Sequence, residues 1–392
     1  MSEDSFLLLN PGPVQIHPAV RAAMDAPMIS HRSPAFEETF ARTRAGLHRI
    51  FTESALEDAP TTDSGTTLLL NGTATMGMEA AVANLAGPGD EVLAVVNGKF
   101  GRRFARIADR HATGTRVEFD WGESIDVDAV AEAIGPDTEL VTMVHTETST
   151  GLVNPVGAVG ELAREADATF VVDAVTTVGG DAFRIDDWNV DVAVTDAQKA
   201  LAAPPGISAT YLSERAQERL DGEGAPFYED LEWHLRKAAA EQTPFTTAVP
   251  LVRAMAVAVE RILADGIHAR IQRHRQYTEA YHAGFGAMGL EPFPEPTGET
   301  AYANTMAAIA LPEPVRGEGS ERFHEALAER NVSVAGGQAH IAGELFRIGA
   351  MGELTPADVL RGIEAVGGAL NDAGADLDVT AGVRAAEDTL LA

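Results

Sequence analysis

Short apolar runs alternate with longer amphipathic segments along the first two thirds of the chain. This alternation is typical of a mainly parallel sheet with helices on both faces. The apolar runs predict strands at residues 92–96, 140–145, 169–173, 190–195 and 207–212. The amphipathic segments predict helices at residues 75–86, 127–134, 156–166 and 251–264. We therefore predict an α/β fold, with a mainly parallel central sheet in a large three-layer domain.

The pattern changes near Gly266. A helix rich in Arg, His and Gln comes first, followed by a Pro/Gly-rich stretch at residues 291–298. The rest mixes β-like runs with helices: runs at 305–311, 332–334 and 345–348, and helices at 320–330 and 355–370. We predict a large domain at residues 21–265 and a smaller C-terminal α+β domain at residues 266–392. The segment after Asp372 is acidic and loosely patterned, and we predict that it forms a tail.

The charge balance excludes several classes of partner. The chain has 29 Lys and Arg residues against 59 Asp and Glu, a formal net charge of −30. Nucleic-acid affinity comes largely from basic side chains that release counterions, so we expect no nucleic acid and no anionic membrane as partner. No basic targeting segment is visible, and no apolar run approaches the roughly 20 residues that span a bilayer.

Two residue types are unusually scarce. Cysteine is absent, which removes disulfides, thiolate nucleophiles, iron–sulfur ligation and cysteine-ligated zinc, and favours a cytoplasmic location. We expect no metal site. The only lysines are Lys99, Lys199 and Lys237, and every other basic residue is arginine. An acidic, lysine-poor surface is typical of proteins from extreme halophiles, in which salt screens the repulsion between carboxylates.

The strongest local signal surrounds Lys199, between two predicted strands. It reads Asp196-Ala197-Gln198-Lys199-Ala200-Leu201 and is followed by a Pro204-Pro205-Gly206 turn. Because arginine is the basic residue at nearly all other positions of this chain, a lysine retained here indicates a need for its primary amine, which can lose its proton and add to an aldehyde. Upstream, Asp173 ends an apolar strand, and a buried carboxylate needs a cation such as a protonated pyridine nitrogen. The pair matches the requirements of pyridoxal phosphate.

A phosphate cradle is predicted at Asn71-Gly72-Thr73-Ala74-Thr75, where small and hydroxyl residues precede a helix. Backbone N–H groups and the helix dipole bind phosphate at such a position without a lysine.

Motifs of other enzyme classes are missing: the chain has no GxGxxG after a strand, no GxxxxGK[ST], no HExxH and no GxSxG. Nicotinamide, P-loop, zincin and α/β-hydrolase interpretations therefore lack their main support.

With these residues in place, the sequence resembles the class V aminotransferases of fold type I, specifically the alanine–glyoxylate and serine–pyruvate aminotransferase group. The resemblance covers nearly the whole chain. It rests on Asn10 to Pro13, Gly72 to Ala80, Asn97 to Gly101, His145 to Gly151, Val172-Asp173, Gln198 to Leu201, Pro204 to Gly206 and Leu345 to Gly349. It implies a fold type I transferase, a pyridoxal phosphate cofactor, and a homodimer with its active site at the subunit interface. Residues 1–20 would form an arm over that site.

The resemblance also implies roles for residues around the cofactor ring. Lys199 matches the Schiff-base lysine, and Asp173 matches the partner of the pyridine nitrogen. Phe100 is implied to stack on one face of the ring and Val175 to pack on the other. Thr148 is implied to hydrogen-bond the ring hydroxyl.

Further residues are implied to hold the phosphate and the substrate. Arg347 matches the residue that clamps the substrate carboxylate, for which a planar guanidinium is suited, and Gly12 is implied to lie beside the substrate. The implied phosphate ligands are Gly72, Thr73, Ala74, Thr75, Gln198 and, from the second subunit, Thr246.

The resemblance implies transfer of an amino group from alanine or serine to glyoxylate or pyruvate by a ping-pong mechanism. Two alternatives stay open. The Ser30-His31-Arg32-Ser33-Pro34 run is similar to a phosphoserine aminotransferase motif and also to segments of ureidoglycine–glyoxylate enzymes. A kynureninase-like lyase and a catalytically silent cofactor-binding protein are weaker alternatives. Sulfur transfer through a persulfide is excluded because the chain has no cysteine.

Overall fold

The computed structural model describes residues 6–54, 64–220, 222 and 224–392. The strands are β1 (Leu7–Leu8), β2 (Thr66–Asn71), β3 (Glu91–Val96), β4 (Thr113–Glu118), β5 (Thr138–Val144), β6 (Thr146–Glu147), β7 (Leu152–Val153), β8 (Thr169–Asp173), β9 (Val192–Asp196), β10 (Ile207–Leu212), β11 (Ala301–Tyr302), β12 (Met306–Ala310), β13 (Val332–Ser333), β14 (Ala335–Gly336) and β15 (Leu345–Gly349). The helices are α1 (Pro18–Met24), α2 (Pro34–Thr52), α3 (Ala74–Leu85), α4 (Lys99–His111), α5 (Val127–Ala133), α6 (Val156–Glu165), α7 (Glu214–Glu218), α8 (Leu231–Ala238), α9 (Val249–Asp265), α10 (Ile267–Ala287), α11 (Gly319–Glu329), α12 (Pro356–Asp372) and α13 (Val379–Leu391). None of the helices within the described ranges is long and apolar enough to cross a membrane.

The central sheet has seven strands in the order β2-β10-β9-β8-β5-β3-β4. β10 runs antiparallel to both of its neighbours, whereas the pairs β9/β8, β8/β5, β5/β3 and β3/β4 are parallel. The predicted α/β class and mainly parallel sheet are confirmed. Each of the five strands predicted in this region is present, with ends that move by no more than two residues.

Apolar packing on both faces gives the sheet its three layers. Every residue of β8, β9 and β10 is buried. β8 is accordingly an almost continuous apolar run, whereas β10 also buries Ser208 and Thr210 between its apolar residues. On one face the sheet packs against α2, α5, α6 and α9. On the other face it packs against α3, α4 and α8.

The C-terminal part has its own sheet and core. β12, β15 and β14 form an antiparallel sheet in that order, against which α10 and α12 pack. The aromatic centre of this core is Tyr281, Phe285 and Phe346. β1 joins this part of the molecule by pairing in parallel with β13. The chain that follows β1 then runs from this core toward the carboxyl ends of the large sheet.

The segment after Asp372 corrects the sequence interpretation. Instead of a loose acidic tail, it ends in α13, which packs along α10. The contact is close because it is made by glycines: a Cβ on Gly284 would lie 3.1 Å from the carbonyl oxygen of Gly382. The fully buried residues of α13 are the small residues Gly382 and Ala386, and its larger apolar residues Val379, Val383 and Leu390 are only partly buried, so the amphipathic pattern is weak in the sequence.

Candidate active site

A cavity of about 280 Å³ lies at the carboxyl ends of β8 and β9. Ligand sites of open α/β sheets occur at this edge. The cavity brings together most of the predicted site residues: Gly12, Thr73, Ala74, Thr75, Phe100, Thr148, Asp173, Val175, Gln198 and Lys199. It is also lined by Pro13, Met78, Arg103, Thr176 and Asp196. Gly72, Thr246 and Arg347 do not line it.

Lys199 is in the turn that follows β9, and its amine points toward the N-terminal segment. Its Nζ donates a hydrogen bond to the carbonyl oxygen of Pro11. Burial, reinforced by the charge of Arg347, lowers the pKa of Lys199 to about 8. Gly12 has φ +104°, and a Cβ there would lie 2.5 Å from Cδ of Lys199. Both the backbone conformation and the space therefore require glycine beside the lysine.

Asp173 is the last residue of β8 and is only 5% exposed. Its Oδ1 accepts a hydrogen bond of 2.9 Å from the backbone N–H of Val175. Burial raises the pKa of Asp173 to about 6, and the negative charge of Glu147 acts in the same direction. A carboxylate in this position is stabilised by a cation placed next to it.

Glu147 holds in place the first turn of α4, which carries the cavity-lining residue Phe100. Its carboxylate accepts hydrogen bonds from the backbone N–H groups of Phe100 at 3.0 Å and Gly101 at 3.2 Å, in the first turn of α4. A negative charge is favourable at that end of a helix. The N–H of Ser149 donates to the same carboxylate at 3.0 Å, although burial raises the pKa of Glu147. These hydrogen bonds hold the first turn of α4 in place, and with it the position of Phe100 at the cavity.

The predicted phosphate cradle is the start of α3, with Thr73 as its N-cap residue. Arg103 lies beside it: Nη1 donates to Oγ1 of Thr75 at 2.7 Å, and the guanidinium sits 4.8 Å from the centre of the Phe100 ring. Oε1 of Gln198 is buried and has no hydrogen-bond partner among the described residues. The Gln198 side chain does form a hydrogen bond with Asp196. The cradle therefore combines backbone donors, a cation and a side-chain amide at one end of the cavity.

Arg347 is on β15, close behind the cavity wall. Its Nη1 donates to the carbonyl oxygen of Thr148 at 3.0 Å, and its Nε and Nη2 donate to that of Gly336 at 3.0 and 2.9 Å. Burial lowers the pKa of Arg347 to about 10. The guanidinium is held in one orientation by main-chain oxygens, and no carboxylate within the described residues forms an ion pair with it.

Two predicted phosphate contacts lie away from the cavity of their own chain. Gly72 is part of the predicted cradle but does not line the cavity, and its N–H donates to the carbonyl oxygen of Gly206 at 3.0 Å. Thr246 is exposed, and its carbonyl oxygen lies 3.5 Å from Nδ2 of Asn71. The role predicted for Thr246 requires a second subunit and stays a prediction.

Sequence reasoning missed Arg103, Thr176 and Asp196, which also line the cavity. Arg103 had a usable signal, since it lies three residues after Phe100 and on the same face of α4. Asp196 also had one, since it lies in the motif around Lys199, but no role was assigned to it. Thr176 had none, because the fold alone brings its side chain to the cavity.

The family model for class V aminotransferases matches residues 28–349. The chain belongs to the class V aminotransferases. An uncharacterised aminotransferase of Methanocaldococcus jannaschii is 36% identical, over 98% of this chain and 97% of that protein. The L-aspartate–glyoxylate aminotransferase of Paracoccus denitrificans is 32% identical, over 96% of this chain and 94% of that protein. The crystal structure of ureidoglycine–glyoxylate aminotransferase from Bacillus subtilis superposes with a TM-score of 0.89 at 28% identity, over the full length of both chains.

Membership makes the protein a pyridoxal-phosphate-dependent aminotransferase of fold type I. The cavity of this aminotransferase fits the cofactor. It offers a buried amine on Lys199, a buried carboxylate on Asp173 that forms no ion pair within the described residues, and an aromatic wall in Phe100. At its other end, helix N–H groups and Arg103 match a phosphate.

Proposed function

We propose that this aminotransferase moves an amino group from alanine or serine to glyoxylate or pyruvate in a ping-pong cycle. One observation carries the proposal: a single cavity of about 280 Å³ holds a lysine amine with a lowered pKa and a buried carboxylate.

The acceptor is supported by the relatives. Both the P. denitrificans and the B. subtilis enzymes carry glyoxylate in their names, whereas their amino donors differ. The donor has to be argued from the cavity itself. Its lining cations are Lys199, which is the reactive amine, and Arg103, which is bonded to Thr75. Neither is free for a second carboxylate, so the lining favours donors with one carboxylate.

The residues of the cavity have distinct roles in this proposal. When bound, pyridoxal phosphate supplies an aldehyde that condenses with amines and a ring that accepts electrons from the substrate Cα. Lys199 Nζ takes the proton from the substrate Cα, for which an amine with a pKa of about 8 is suited near neutral pH. Asp173 holds a proton on the ring nitrogen by giving the cation a buried negative partner.

Other residues bind and orient. Arg347, just outside the cavity, would receive the substrate carboxylate through the Nη hydrogens that are not donated to the carbonyl oxygens of Thr148 and Gly336. Thr148, whose Oγ1 lies 2.6 Å from Oγ1 of Thr176, would hydrogen-bond the ring hydroxyl. Phe100 and Val175 would pack on the two faces of the ring, and the N–H groups at the start of α3 would bind the phosphate.

A substrate panel tests the proposal. Alanine, serine, aspartate, ureidoglycine and phosphoserine are each paired with glyoxylate, pyruvate and 2-oxoglutarate, and kcat/KM is measured. We expect the highest values for alanine or serine with glyoxylate. Preference for aspartate, ureidoglycine or phosphoserine would contradict the proposed donor while leaving the enzyme class intact, and preference for 2-oxoglutarate would contradict the proposed acceptor. Absence of any keto-acid product would favour a silent cofactor-binding protein.

We also propose a homodimer in which Thr246 of one subunit completes the phosphate site of the other. The exposure of Thr246 in its own chain supports this arrangement. Mixing Lys199→Ala chains with Thr246→Asp chains tests it, because a mixed dimer regains one intact site. We expect activity to return on mixing, and no return would contradict shared sites.

The acidic composition leads us to propose a halophilic, cytoplasmic enzyme. With a net charge of −30, unscreened repulsion between carboxylates should weaken the dimer and its activity at low ionic strength. Light scattering and rate measurements across a salt series test the halophilic part, and full activity without salt would contradict it. Cell fractionation tests the location.

A further inference from the structure

Asp196 places a carboxylate where the cofactor phosphate is expected. It is the last residue of β9, lines the cavity and is only 3% exposed. Its Oδ2 accepts a hydrogen bond of 2.9 Å from the backbone N–H of Ala74, the first residue of α3. Its Oδ1 lies 3.1 Å from the N–H of Ala197. A donor at the helix start is thus already taken by an acid of the chain itself.

This arrangement conflicts with an ionised phosphate unless a proton intervenes. A phosphate monoester carries a charge of about −1.5 to −2 at pH 7 and binds to the same kind of N–H group. Two neighbouring anions in a water-poor site repel each other strongly, and one of them tends to be protonated.

The other charged groups near Asp196 offset this repulsion only in part. Arg103 approaches the cradle from α4, and Lys199 acts on Asp196 from the following turn. Asp173, on the adjacent strand β8, adds a further negative charge to the cavity. The first turn of α3 contributes no ionisable side chain. Two cations therefore face two carboxylates before the phosphate adds its own charge.

We propose that Asp196 takes up a proton from solvent when the cofactor phosphate binds, and then donates a hydrogen bond to a phosphate oxygen as a neutral acid. The N–H of Ala74 is released to the phosphate in the same event. Burial already raises the pKa of Asp196 before any phosphate arrives, which acts in the same direction. The inference rests on the proposed location of the phosphate at the start of α3.

Proton uptake makes cofactor affinity depend on pH. When one proton is gained on binding, the affinity falls up to about tenfold for each pH unit above the pKa of free Asp196. An asparagine at this position has no charge to lose, and its amide donates a hydrogen bond at every pH. Asp196→Asn should therefore bind the cofactor more tightly than the native protein at alkaline pH.

The test uses pyridoxamine phosphate as probe, because it binds without forming a bond to Lys199. Pyridoxamine, which lacks the phosphate, is the matched control ligand. Dissociation constants are measured by fluorescence from neutral to alkaline pH for the native protein and for Asp196→Asn, after both give the same circular dichroism spectrum. We expect the native protein to lose affinity for pyridoxamine phosphate with rising pH, with a flatter profile for Asp196→Asn. Pyridoxamine should show little difference between the two proteins.

Phosphorus NMR of bound pyridoxamine phosphate locates the proton. We expect the resonance of a phosphate dianion at every pH, since the proton is on Asp196. A monoanion resonance would overturn the inference, as would parallel pH profiles for the native protein and Asp196→Asn. Equal affinity for pyridoxamine and pyridoxamine phosphate would instead overturn the proposed phosphate site, and with it the inference.

Discussion

The cavity and the contact between α10 and α13 are both buried, but their residues are of opposite kinds. The cavity contains ionisable groups with shifted pKa values, among them Asp173 and Lys199. The closest part of the helix contact is formed by Gly284, Gly382 and Ala386, which have no polar side-chain atoms. Burying unsatisfied charge costs stability, whereas close apolar packing contributes to it. Substitutions in the cavity should therefore change chemistry at little cost in stability, and substitutions in the helix contact should do the reverse.

The largest expected effect tests the chemical side of this contrast. Replacing Lys199 with alanine should lower transamination by about 10³-fold or more, because the amine is both the nucleophile and the base. The free energy of unfolding should stay the same or rise, since a buried cation is removed. Steady-state rates and chemical denaturation measure the two quantities. Lys237→Ala, at a lysine outside the cavity, should retain activity; equal losses in both variants would contradict the assignment.

Arg347 should affect substrate binding rather than cofactor binding. Removing one partner of a buried ionic contact costs about 2–5 kcal/mol, so Arg347→Gln should lower kcat/KM by about 10²-fold, mainly through KM. The visible absorbance of the bound cofactor should be unchanged. Arg384→Gln, at an exposed arginine on α13, is the matched control and should leave kcat/KM intact. Loss of cofactor absorbance in Arg347→Gln would place this residue at the cofactor instead.

The pKa of Lys199 predicts how fast the cofactor attaches. Because burial lowers this pKa to about 8, the amine is mostly neutral above pH 8 and mostly protonated below it. The attachment rate should therefore fall about tenfold for each pH unit below 8, and level off above it. Stopped-flow absorbance after adding pyridoxal phosphate to cofactor-free protein measures the rate. An inflection near the ordinary lysine value of 10.5 would show that the cavity does not desolvate the amine.

The smallest effect on activity belongs to the helix contact. A Cβ on Gly382 would lie 2.8 Å from the carbonyl oxygen of Gly284, so Gly382→Leu should overpack the contact. We expect the free energy of unfolding to fall by about 1–3 kcal/mol. Activity per folded molecule should persist. Asp388→Leu, at an exposed position of α13, is the control. A large loss of kcat in folded Gly382→Leu would break the separation between the two regions.

Sequence-based prediction succeeded for strands that are visible as apolar runs and for functional residues of a rare type. β8 and β10 were predicted with their observed bounds: β8 is an apolar run between parallel neighbours, and β10 is a short β-prone run that directly follows the Pro204-Pro205-Gly206 turn. Lys199 was found because lysine is so scarce in this chain. Both signals are local, so a single sequence is sufficient to detect them.

What the sequence did not predict depends on long-range geometry or on small side chains. α13 was read as a tail because its buried residues are glycine and alanine. The contact of Asp196 with Ala74 joins residues far apart in the chain, and no spacing rule predicts it. Arg347 was identified by resemblance, but its bonds to Thr148 and Gly336 depend on how β15 packs behind the cavity.

The central claim is that Lys199 alone carries the cofactor, and the chain is well suited to a direct test because it has three lysines. The protein loaded with pyridoxal phosphate is treated with borohydride, which fixes the lysine–cofactor bond, and then digested and analysed by peptide mass spectrometry. We predict the cofactor mass on the peptide containing Lys199, and on neither of the peptides containing Lys99 or Lys237. Fixation at Lys99 or Lys237, with Lys199 unmodified, would contradict the claim.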